Sequence, residues 1–157
     1  MDAVLFENIS IVGRFAFSVT CLEQVCKVWN IKNIEMDNLI DFLWTFTLLD
    51  FDSWECDLYN IIPLDIFDMP EQFGFVHLEK EKEKILLIIF YNIFQFTSMK
   101  YNPRKFKDRH SLLCTLKIGS LLEENSIELP DLKPFPKSKI TEYSIWGSPA
   151  SKSYFKE

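Results

Sequence analysis

Two histidines, four cysteines and twenty-three carboxylates are the groups of this 157-residue chain that have the capacity for acid–base, nucleophilic or metal chemistry. Ser111 and Cys114 lie near His110 in sequence, which allows a Ser-His or Cys-His arrangement on paper. No nucleophile elbow and no glycine-rich oxyanion turn surrounds them, and His77 stands apart. Both histidines therefore read as structural. Gly13, Gly74, Gly119 and Gly147 are isolated, so neither a phosphate-cradling loop nor a dinucleotide fingerprint can be written. Asp50, Asp52 and Glu55 offer the oxygen ligands a hard divalent cation needs, but the central glycine of a twelve-residue calcium loop is missing. Cys21, Cys26, Cys56 and Cys114 form no CxxC pair and read as reduced thiols buried as small hydrophobes. The expectation is a protein without catalytic residues, metal or cofactor, one that acts by binding.

The carboxylates are distributed unevenly. From Asn33 to Glu79 there is no Lys or Arg, while Glu35, Asp37, Asp41, Asp50, Asp52, Glu55, Asp57, Asp65, Asp68, Glu71 and Glu79 all fall inside. From Met99 onward the balance reverses, with eleven bases against seven acids. Carboxylates at this density repel one another unless solvent or an outside cation compensates them, so a basic partner would relieve a cost. Aromatic residues interleave with the acids in Asp50-Phe51-Asp52-Ser53-Trp54-Glu55 and Asp65-Ile66-Phe67-Asp68. A second reading stays open: Asp37, Asp50 and Asp52 suit helix caps and first turns, where acids are favoured without any partner. The basic group Lys100, Arg104, Lys105, Lys107 and Arg109 reads as a solvated connection, and a net charge of −6 argues against nucleic acid.

The elements that would carry these groups are helical. With 48% apolar and 15% aromatic residues but only four glycines, residues 1–157 suit a single mainly α domain, a bundle of about five helices. Apolar residues at three- and four-residue steps predict a first helix over 4–29, with Arg14 and Ser18 on polar faces. Alternation of Ile9, Ile11, Phe15, Phe17 and Val19 keeps a strand open for residues 9–20. Asp37 is the expected cap of a second helix ending near Leu49. Asp50 or Ser53 would cap a third, bearing Phe51, Trp54, Leu58 and Ile61, before a loop from Pro63 to Gly74. The alternating run Glu79–Lys84 opens a fourth helix that continues through the apolar segment Ile85–Phe96 and stops at Asn102-Pro103. Asp108 or Ser111 would cap a fifth, ending about Asn125. Residues 126–157, with four prolines, read as an extended tail held on the bundle by Phe135, Ile140, Tyr143 and Trp146. No basic-then-apolar leader opens the chain, and the apolar run is too short for a bilayer, so a cytoplasmic protein without membrane contact is expected.

The strings Gly13-Arg14-Phe15-Ala16-Phe17 and Cys21-Leu22-Glu23, the Trp44/Trp54 pair around a short break, and the closing Trp146-Gly147-Ser148-Pro149 resemble small bacterial immunity proteins, the antidotes of polymorphic and contact-dependent growth inhibition toxins. The resemblance implies inhibition of a cognate toxin domain by binding, often of a basic nuclease. It carries over no individual functional residue. Joined to the charge pattern, it makes Asp50, Asp52, Glu55, Asp57, Asp65, Asp68 and Glu71 the candidate steering residues, with Trp54 and Phe67 as candidate anchors. The competing readings are a metal-dependent hydrolase using the same carboxylates and a structural or adaptor domain.

Overall fold

The N-terminal apolar pattern folds as two helices rather than one, α1 (Ala3–Glu7) and α2 (Ile11–Val28). The computed structural model describes residues 1–48, 51–97, 109–141 and 145–157, without the side chains of Phe51 and Asp52. Asp2 caps α1, accepting from the Val4 amide at 2.9 Å, and Ser10 caps α2, accepting from the Gly13 amide at 3.1 Å. A serine that offers its hydroxyl to an amide three residues on starts a new helix, and this breaks the helix expected over 4–29. Residues 11–20 are helical, and Ile9 makes an isolated antiparallel bridge with Lys139.

α3 (Ile34–Trp44) is capped by Asn33, which accepts from the amides of Glu35 and Met36 at 2.9 and 3.1 Å. Asp37, the expected cap, sits inside the helix instead, because Asn33 lies one turn earlier and meets the free amides first. A 3-10 turn over Thr45–Thr47 follows, then α4 (Phe51–Ile61), a 3-10 turn over Ile66–Asp68, and α5 (Met69–Gln72). The charged run opens α6 (Lys80–Phe94), and α7 spans Arg109–Glu124. Ser53 and Ser111 lie within α4 and α7 and are not their caps. α3 ends at Trp44 and α6 at Phe94, each passing into a 3-10 turn short of the expected ends near Leu49 and at Asn102-Pro103, while Asp50, Asp108 and Tyr143 fall outside the described residues. Beyond α7 the chain runs without helix to a 3-10 turn over Phe135–Lys137 and closes with α8 (Lys152–Lys156). The described residues thus hold eight α-helices, more than the five expected. The additional ones, α1, α5 and α8, have five, four and five residues, too short to leave a periodic signature.

α2 is the axis of the fold. Every residue from Ile11 to Val19 is buried, and the helix packs against α7, α3, α6 and the 135–137 turn. Arg14 and Ser18, expected on polar faces, are therefore interior at 2% and 0% exposure: a helix encircled by its neighbours has no solvent side over this stretch. Its N-terminus is capped from a distance. The Ile11 and Val12 amides donate to the carbonyls of Ile145 and Trp146 at 3.0 and 2.9 Å, so three amides of the first turn are satisfied inside the protein. The tail reaches them through Gly147, whose φ of +83° is the left-handed conformation and at which a Cβ would strike Ser10 Oγ.

Aromatic rings fill the centre. Phe15 stacks on Phe46 with centroids 4.0 Å apart, Phe96 meets Phe15 edge-on at 5.2 Å, and Trp54 meets Phe46 at 5.0 Å. Such pairs add about 0.5–1.5 kcal/mol each beyond area burial. Among the described residues no helix is long and apolar enough to cross a membrane.

Candidate functional site

Two places concentrate chemistry, and they use it in opposite ways. The first is built on the C-terminal half of α2. Glu23 accepts from Trp44 Nε1 at 3.0 Å and pairs with Lys152 at 2.8 Å, and Lys156 closes on its other oxygen. Both ammonium groups also lie 5.5 Å from the centre of the Trp44 ring. Burial pushes the Glu23 carboxyl up, but the bonds from Lys152, Lys156 and Trp44 outweigh it and hold the group below the usual carboxylate range. Phe155, buried between Phe135 and Trp44, seats α8 on this cluster. A five-residue helix is not stable by itself, so these contacts are what fold it.

Beside the cluster lies an open groove of about 610 Å³ between α2 and α3, where Lys27, Lys32 and Lys152 alternate with Glu23, Asp37 and Asp41. Cys26 borders it, but burial together with the nearby Asp37 and Glu23 charges pushes its thiol up to about 12. At neutral pH it stays protonated and is no nucleophile. Cys114 is likewise pushed up to about 11 by burial. Ser111, the other neighbour of His110, accepts from the Arg14 guanidinium at 2.9 Å, which supports a structural reading. Cys21 is buried as expected, whereas Cys56 is exposed on α4, opposite the Trp54 and Leu58 side that packs inward. His77 is exposed. His110 Nε2 is buried without a hydrogen-bond partner among the described residues.

The second place is the corner where α4 gives way to α5. Of the candidate partner-binding residues, Asp65, Phe67, Asp68 and Glu71 come together here and all are exposed. Asp65 accepts from the Phe67 amide at 2.9 Å and so shapes the 66–68 turn. Gln72 Nε2 donates to the Ile61 carbonyl at 2.7 Å, tying α5 back to α4. Beneath, Met69, Phe73 and Phe75 are buried, the two rings packing against Phe90 of α6. Tyr59, Leu64 and Phe67 nonetheless point to water, Leu64 fully exposed and Phe67 76% exposed.

The remaining candidates separate. Asp50 and the Asp52 side chain lie outside the described residues. Trp54 is 4% exposed and stacked on Phe42 at 5.3 Å, a core ring with no face left for a partner. Glu55 is half-buried and Asp57 exposed; two positions apart on α4, they lie on opposite flanks of the helix and share no surface. The sequence reading missed Tyr59 and Leu64 as surface residues, and also the Glu23 cluster. Leu64, after Pro63 in a stretch without period, carried the only usable signal.

Among the described residues no group of three or more His, Cys, Asp or Glu side chains is placed to hold a metal ion. Comparison of the chain with protein-family models, with curated proteins and with solved structures gives no match.

Proposed function

We propose that this protein is an immunity protein, an antidote that binds a cognate toxin domain and blocks it without catalysis, through the surface around Asp65, Phe67, Asp68 and Glu71. One observation carries the reading. Exposed apolar side chains and carboxylates share this corner, and among the described residues no Lys or Arg pairs with Asp57, Asp65, Asp68 or Glu71. Scattered exposed apolar residues need no explanation, but a cluster rimmed by charge marks an interaction surface. Uncompensated negative charge steers a basic domain toward it and raises the association rate. The resemblance of residues 13–17, 21–23 and 146–149 to immunity proteins points to the same role.

The test is co-expression with candidate toxin domains, the first being the C-terminal domain of any large secreted protein found to be encoded next to this chain. Growth arrest by that domain alone, relieved by this chain with formation of a stoichiometric complex, is the expected result. A toxic domain that the chain neither relieves nor binds would overturn the proposal.

A further inference from the structure

The α4–α5 corner contains a cleft of about 230 Å³ whose walls include Tyr59, Ile62, Leu64, Ile66 and Phe94. Small-molecule sites usually span about 300–1,000 Å³, so this volume suits one large side chain rather than a whole ligand. We infer that the cleft anchors a basic polypeptide segment of the partner, taking one leucine- or phenylalanine-sized side chain while neighbouring lysines or arginines meet Asp65, Asp68 and Glu71. The inference rests on the binding role proposed above and adds the point of contact, made chiefly of residues that charge alone does not single out.

Charge selects among the possible occupants. A second copy meeting the same surface would bring two acidic patches together, because a two-fold pairing buries the same patch on both subunits and no described Lys or Arg lies in this one. An anionic lipid surface or a nucleic acid backbone would be repelled for the same reason. A basic segment with one apolar anchor satisfies both halves of the surface. It covers Leu64 and Phe67, which the free protein leaves in water, and it supplies the cations that no described Lys or Arg provides here. The corner is organised in advance by the Gln72–Ile61 bond and the Asp65 turn, so little ordering is lost on binding.

The probe is a fluorescein-labelled 15-residue amphipathic peptide with lysines on one face and a single central Phe, titrated into the full-length protein and followed by anisotropy. Saturable binding is expected, with amide NMR shifts confined to residues 59–71 and the region of Phe94. Replacing the peptide Phe with Ala, or introducing L64S and F67S together in the protein, should each weaken binding at least tenfold; replacing the peptide lysines with Glu should abolish it. Both protein positions are exposed and uncharged, so the double variant keeps its melting temperature and its charge, and a loss reports the apolar contact. Binding within twofold in the double variant, shifts centred on the α2–α3 groove, or no binding of the basic peptide would each overturn the inference. If L64S/F67S binds the toxin domain as tightly as the natural protein does, the cleft is wrong while the immunity role stands. If the unaltered protein fails to neutralise it, that role is wrong and the peptide titration judges the cleft independently.

Discussion

Glu23 and Asp68 carry the same functional group in opposite circumstances. Glu23 is enclosed by Lys152, Lys156 and Trp44, brought from the far end of the chain, whereas Asp68 stands in water beside an exposed Phe67. Described lysines of the basic C-terminal half thus compensate Glu23 in the C-terminal half of α2, whereas among the described residues none pairs with a carboxylate of the α4–α5 corner. The contrast teaches that charge imbalance along a sequence does not locate a binding surface until internal pairing has been subtracted. The same holds for apolar groups: Trp54 is spent in the core, and Leu64 and Phe67 are not.

Breaking the inner half should have the largest effects. Arg14 donates to the carbonyls of Phe6 and Glu7 and to Ser111, so its guanidinium locks the end of α1 onto α2 and α7. Arg14→Ala should cost about 2–5 kcal/mol in urea denaturation, because it leaves buried carbonyls without donors and opens a cavity in the core. Gly147→Ala forces a side chain into the left-handed conformation and against Ser10. A loss of about 1–3 kcal/mol is expected, accompanied by faster amide exchange at Ile11 and Val12.

Glu23 gives a pH signature. Its carboxyl is held below the usual value near 4.5, so its contribution is complete above that value and disappears as pH falls through the lowered folded-state value. Glu23→Gln should cost about 1 kcal/mol at pH 7 and flatten the acid limb of the stability curve below pH ~4.5. At the corner the expectation is the smallest stability change of all. Asp65→Asn and Glu71→Gln should shift stability by less than about 0.5 kcal/mol, because an asparagine side chain keeps an acceptor for the Phe67 amide and the exposed Glu71 makes no internal pair among the described residues. A large loss there would mean that the corner is structural.

Much of the fold was legible because α3, α4, α6 and α7 follow the three- and four-residue apolar step. The junction at Asn8–Ser10 was not, since Ile9 and Ile11 continue the apolar run and the Ser10 cap depends on its own geometry. Arg14 was misread for a related reason: periodicity assigns a polar residue to solvent, and only the tertiary enclosure of α2 puts its guanidinium among backbone carbonyls. At the site, Asp65, Phe67, Asp68 and Glu71 were legible as an acidic, aromatic segment. The burial of Trp54 and the exposure of Leu64 were not, since each depends on what α6 and the 45–47 turn place beside them. The Glu23–Lys156 contact spans 133 residues, which no local pattern reports.

The most direct test is the rate of association with the cognate toxin domain as a function of salt, for the natural protein and for the double reversal D68K/E71K, which leaves the Asp65 turn intact. At low salt the natural protein should associate at least tenfold faster, and the two rates should converge by about 0.5 M salt as screening removes the steering field. Equal rates and equal salt dependence in the two proteins would contradict the claim that this corner is the binding face.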